Sequence, residues 1–153
     1  MATTRWEPGT TIRKSLADGY TYYGRLLEFP WAVFYDHRSE EPEDDPSAAV
    51  DSEPLFTVAA HKDLLAAGEW EGIGVVPLDG SLRPPKEQFI QDDLEPEDCQ
   101  IINDEGEMRP ATREECEGLE AAAVWEPEHI ADRLVDHYAG RPNEWLESLR
   151  LRK

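Results

Sequence analysis

The chain has 153 residues, with 34 acidic side chains against 15 basic ones and a formal net charge of −19 at pH 7. That sign disfavours nucleic acid and anionic membrane surfaces as direct ligands, because both are bound by clustered Lys and Arg. The length suits one compact domain over residues 1–153, and five Trp, five Tyr and four Phe supply the large apolar groups that disordered chains lack.

Two meanings of the acidity stay open at this point: negative charge as a device for solubility, or as complementarity to a basic partner. The first nine residues hold no apolar core of a secretory signal, and no apolar run is long enough to cross a bilayer, so a cytoplasmic location is expected. In that compartment Cys99 and Cys116 read as reduced, partly buried thiols.

In chain order, Thr10 to Leu16 and Tyr20 to Phe29 are rich in β-formers and flank Asp18-Gly19, a strong hairpin signal. Gly24 inside the second run predicts a bulge or tight bend, and Trp31 to Asp36 predicts a third strand. The stretch of about 38–53 holds Glu40, Glu41, Glu43, Asp44, Asp45, Asp51 and Glu53 with Pro42 and Pro46, which predicts a self-repelling, solvated loop. Pro54 to Ala60 follows as a fourth strand, then His61 to Ala67 as a short helix stopped by Gly68.

Further strands are expected at Glu87–Gln91 and Cys99–Asn103, with acid dominating between and after them. From Thr112 the pattern turns helical: Thr112-Arg113-Glu114-Glu115 fits a capping box. Pro127 opens a helix whose apolar positions Ile130, Leu134, Val135 and Tyr138 recur at helical spacing until Gly140. A last short helix holds Trp145, Leu146 and Leu149, with Arg150, Arg152 and Lys153 suiting the negative end of its dipole. The expected fold class is α+β: a mostly antiparallel, curled, small barrel-like sheet over about 8–103, closed by helices over about 112–150.

Catalytic chemistry finds little support. Cys99, Cys116, His37, His61, His129 and His137 show no paired metal-ligand spacing, so no metal is expected. There is no phosphate-binding glycine loop, no nucleophile elbow, and therefore no expected cofactor. Carboxylates are so abundant that any pair of them is uninformative. The aromatic set Trp6, Tyr20, Tyr22, Tyr23, Phe29, Trp31, Phe34 and Tyr35 lacks, Arg25 apart, the interleaved basic residues of a base-stacking platform, so it reads as packing.

Two blocks carry a resemblance. The first is Leu16-Ala17-Asp18-Gly19-Tyr20-Thr21-Tyr22-Tyr23-Gly24-Arg25-Leu26-Leu27 leading to Val33-Phe34-Tyr35-Asp36; the second runs from Arg109-Pro110-Ala111-Thr112 through Ala123-Val124-Trp125-Glu126-Pro127 to Gly140-Arg141-Pro142-Asn143. Together they resemble the immunity protein 26 family of bacterial polymorphic toxin systems. The resemblance implies a mostly β fold, no catalysis and a cognate toxin as partner, often a nuclease.

On that footing the expected toxin contacts are Glu40, Glu41, Glu43, Asp44 and Asp45, with Asp92, Asp93, Glu95, Glu97 and Asp98 as a second patch, each weighed against a merely solvated role. Gly24, Arg25, Tyr35, Asp36, Arg109, Trp125 and Arg141 are read as structural. The arginines are expected to pair with buried or half-buried carboxylates, and Tyr35 and Asp36 to form a strand end and turn. The alternatives are an acidic module or DNA-mimic inhibitor serving another basic protein, and a small-molecule enzyme, which would need a concave pocket with convergent polar groups.

Overall fold

A computed structural model describes residues 5–153. Its strands are β1 (Thr10–Ser15), β2 (Thr21–Leu26), β3 (Trp31–Ser39), β4 (Pro54–Ala60), β5 (Glu71–Val75), β6 (Glu87–Gln91), β7 (Cys99–Asn103), β8 (Met108–Ala111) and β9 (Val124–Trp125). Its helices are α1 (Ser47–Val50), α2 (Pro127–Ala139) and α3 (Glu144–Ser148), with single 3-10 turns at Lys62–Leu65 and Glu114–Cys116.

The predicted hairpin forms. Leu16 donates its N–H to the Tyr20 carbonyl at 2.9 Å, and Gly19 sits at φ +88°, where a side chain would be strained. β2 then pairs antiparallel with β3, and the register slips between Tyr22 and Gly24. A Cβ at Gly24 would lie 2.8 Å from both Phe34 Cδ1 and the Val33 carbonyl, so this bulge also admits a ring against the backbone.

β2 is buried along its whole length because both faces of the sheet are covered. One face packs Tyr22, Leu26, Phe34 and Val58 against Trp70, Trp125 and, from α2, Ile130 and Leu134; the Phe34 ring meets Trp70 edge-on at 5.1 Å. The other face packs Tyr23, Leu27, Val33 and Tyr35 against Ala49 of α1. Adjacent tyrosines thus serve opposite cores, as strand alternation requires.

The expected barrel does not close. Strand order in the larger sheet is β5-β1-β2-β3-β4-β9, antiparallel except for the parallel β4–β9 pair, while β6, β7 and β8 form a separate antiparallel sheet. Between the two, residues 76–86 contain Pro77, Pro84 and Pro85 and form no strand, since proline removes ladder donors. The small sheet has its own core of Phe89, Cys99, Ile101 and Cys116.

Two local expectations are corrected here. The acidic stretch is not an open solvated loop throughout: β3 runs on to Ser39, and the apolar residues within Ser47–Val50 form α1, with Ala49 wholly buried. The helix expected from Thr112 stops after one turn. The reciprocal bonds of the capping box do form, Thr112 N–H to Glu115 Oε1 at 2.9 Å and Glu115 N–H to Thr112 Oγ1 at 3.2 Å. Glu117 is nevertheless extended and Gly118 lies at φ +84°, so the chain continues into β9 instead.

The C-terminal helices are short. α2 ends at Gly140, whose left-handed backbone (φ +69°) lets its N–H bond the carbonyls of Asp136 and His137. α3 begins at Asn143, whose side chain accepts from the Leu146 N–H at 2.9 Å. Arg152 does not serve the α3 dipole as the sequence predicts; it donates to the backbone carbonyls of Asp92 and Asp93 instead.

Candidate interaction surface

The first acidic group is latched to the sheet. The Tyr23 hydroxyl accepts the Glu43 N–H at 2.9 Å, and His37 lies 2.8 Å from the Glu43 carboxylate. Arg13 donates to Asp44 at 2.7 Å, to the Glu43 carbonyl at 2.7 Å and to Glu71 at 2.9 Å. Asp45 accepts from the Ser47 N–H and hydroxyl, which holds its carboxyl below the usual range. Glu40 and Glu41 are exposed and form no ion pair among the described residues. Glu43, Asp44 and Asp45 therefore present fixed, not floating, negative charge.

The second group is a turn between β6 and β7. Asp92 accepts from the N–H groups of Leu94 and Glu95, both at 2.9 Å, and its carboxyl is lowered as a result. Glu97 pairs with Arg113 at 3.2 Å, whereas Asp93, Glu95 and Asp98 stand exposed. At the tip Leu94 is 87% exposed, an apolar side chain flanked in the sequence by Asp92, Asp93 and Glu95. Sequence reasoning passed over Leu94 because a lone leucine in a polar stretch has no periodic signal.

The motif residues each have a definite place in the packing, not always with the partner expected. Arg25 is buried on the second face and finds no carboxylate; it donates to the carbonyls of Val76 and, at 2.8 Å, Pro77, which pins the strand-free segment across the sheet. Backbone carbonyls of this strand-free segment, which have no ladder partner, take the place of the expected carboxylate. Arg109 is shared between Glu87 at 3.3 Å and Glu115 at 3.5 Å, carboxylates that are well exposed rather than buried. Arg141 pairs with Asp136, whose side chain is only 15% exposed. Burial pushes the Asp136 carboxyl up, but hydrogen bonds from Arg141 and Asn143 outweigh it and hold the group below the usual range.

Tyr35 and Asp36 lie within β3 and make no turn. Tyr35 is 1% exposed, and Asp36 donates its N–H to the Glu53 carbonyl at 2.7 Å. Trp125 is buried in the main core, with the Arg133 guanidinium 5.0 Å over its ring.

A third acidic region escaped the sequence. Two adjoining clefts share Glu69, Pro127 and Glu128; one extends toward Asp63 and Glu126, the other toward Asp18 and Asp132. Around the start of α2, Glu126, Glu128 and His129 bring ligand-type atoms within 4.8 Å of one another, a grouping invisible to Cys/His spacing rules. The His129 ring is stacked on Trp145 at 3.7 Å. Among the described residues, no helix is long and apolar enough to cross a membrane.

The family model for immunity protein 26 matches residues 7–100. The chain belongs to the immunity protein 26 family. The match takes in the larger sheet through β5, both strands that carry Gly24-Arg25 and Tyr35-Asp36, and the tip at Leu94; it ends before the Arg109–Asn143 block. Comparison with curated proteins and with solved structures returned no match. Membership of an immunity protein family implies a cognate toxin as binding partner.

Proposed function

We propose that this immunity protein binds and neutralises a cognate bacterial toxin, basic and of nuclease type, in the cytoplasm, through the acidic surface formed by Glu40, Glu41, Glu43, Asp44 and Asp45 together with Asp92, Asp93, Glu95, Glu97 and Asp98. Family membership carries the reading. The net charge of −19 and the anchoring of Glu43, Asp44 and Asp92 support it, because carboxylates held in place need little reordering when a partner arrives. Carboxylates offered to a cleft built for phosphates occupy it as the substrate would.

Leu94 supplies what charge alone lacks. An apolar side chain at a turn tip, flanked in the sequence by acids, has the composition of a small interface centre with a polar rim. The charge steers encounter, raising the association rate toward roughly 10⁸ per molar per second at low salt, and the leucine adds apolar burial after contact.

The test is titration calorimetry against the toxin domain encoded beside the gene, at low and at physiological salt. The expected result is 1:1 binding that weakens with salt and abolishes toxin activity. Absence of binding at both salt concentrations refutes the reading.

A further inference from the structure

The two cores meet at a cavity of about 330 Å³. Leu119, Ala121 and Leu151 reach it from the Phe89 core, and Leu146 and Leu149 from the main core. All five are only half-buried, so both cores leave apolar surface facing this space. Phe89, which also lines it, is fixed by backbone bonds: its N–H donates to the Glu120 carbonyl at 3.1 Å, and its carbonyl accepts from the Ala122 N–H at 2.9 Å.

The charge around the cavity is opposite to that of the molecule. Arg113, Arg150 and Lys153 all line it, in a chain whose net charge is −19. Of the two carboxylates beside them, Glu120 is taken up by Arg133 through bonds of 3.0 and 3.3 Å, which leaves three cations against Glu117. Arg113 gives its Nε to Glu97 at 3.2 Å, and Arg150 gives one Nη to Glu147 at 2.8 Å; those carboxylates do not line the cavity, and each guanidinium keeps further N–H donors. Lys153 has no ion pair among the described residues. Arg150 and Lys153 are exposed, so the cations stand on the solvent side of an apolar floor.

We infer that this cavity is a binding site for an aliphatic monocarboxylate, a free medium-chain fatty acid. Its tail lies against the leucines and its carboxylate among Arg113, Arg150 and Lys153. Burial of methylene groups draws the tail in but gives it no direction. The cations supply direction, because a guanidinium fork matches a carboxylate, whereas an amine on the same tail meets like charge. The volume lies at the low end of the roughly 300–1,000 Å³ of small-ligand sites, which suits a medium-chain tail rather than a long one.

A ligand seated there bridges the two cores and raises stability in proportion to its occupancy. The site stands apart from toxin binding, since every residue lining it except Phe89 lies beyond residue 100.

The test is calorimetric titration of the full chain with decanoate below its micelle concentration, with decylamine and decanol in parallel. Expected are 1:1 saturation by decanoate, binding of the amine and the alcohol at least roughly tenfold weaker, and a melting temperature that rises with decanoate concentration. Amide shifts in a nitrogen–proton NMR spectrum should concentrate in residues 117–121 and 146–153. Arg150→Gln with Lys153→Gln changes two exposed side chains; it should leave the melt of the free chain close to that of the unmutated one and weaken decanoate roughly tenfold. No saturation by decanoate, equal binding of decylamine, undiminished binding by the double variant, or shifts centred elsewhere, as at Phe29 or Leu94, would each overturn the inference.

Discussion

The Tyr138 hydroxyl on α2 donates to the Asp36 carboxylate on β3 at 2.5 Å, joining residues 102 positions apart. Arg38 lies 4.2 Å over the same ring, so the tyrosine holds helix to sheet by two contacts of different kinds. Tyr138→Phe keeps the ring under Arg38 and deletes only the hydrogen bond. It should cost about 1 kcal/mol and lower the melting temperature by roughly 2–4 °C. A thermal melt identical to that of the unmutated chain would show that the bond contributes nothing.

Gly24→Ala meets a different obstacle. Its Cβ would lie 2.8 Å from the Phe34 ring and from the Val33 carbonyl, between two strands that cannot both give way. Urea denaturation should show a loss on the order of 1–3 kcal/mol. Gly19→Ala at the hairpin tip meets no atom within 4 Å and suffers only from its positive φ, so comparing the two separates crowding from backbone strain.

Burial pushes the Tyr22 hydroxyl up to about 12, aided by the hydrogen bond it gives Asp18. A folded-state pKa above the unfolded value of 10 contributes stability that is whole below pH 10 and is lost as pH rises through about 12. Ultraviolet titration of tyrosinate should therefore contain a step near 12 that Tyr22→Phe removes. If every tyrosine of the folded chain ionises together near its ordinary value, this assignment fails.

On the acid side the sign reverses. Asp136 is held below its ordinary 3.8, so its contribution is present above that value and disappears as pH falls through the folded-state pKa. Asp136→Asn should be less stable at neutral pH and lose less on acidification from pH 5 downward. The comparison is internal, because relief of the net negative charge on acidification acts on both chains alike.

For toxin binding, Leu94→Ala and the pair Glu40→Gln with Glu41→Gln should separate the two terms. Loss of the leucine should speed dissociation with little change in salt dependence. Loss of the two charges should slow association severalfold at low salt and flatten its salt dependence. Surface plasmon resonance against the cognate toxin reads both, and equal kinetics for all three proteins would remove these residues from the interface.

Much of the fold was legible because its signals are local. Asp18-Gly19 announced its hairpin, Pro54–Ala60 read as a strand end to end, and Pro127 and Gly140 bracketed α2. The strands at Glu71–Val75 and Met108–Ala111 were not legible: the first is short and glycine-containing, the second carries Pro110, and neither alternates clearly. The site was half legible. Acid runs stand out in any sequence, but the cleft carboxylates Asp18, Asp63, Glu69 and Glu128 come from segments far apart in the chain.

By itself the sequence determined the net charge, the turn positions, the ends of α2 and the first block of family likeness, since each depends on bonds within a few residues or on composition alone. Tertiary structure decided where Arg25 spends its donors and that the sheet stays open. Those outcomes turn on partners 50 or more residues away, as with Arg25 and Pro77, or on what covers a face, and no local pattern encodes either.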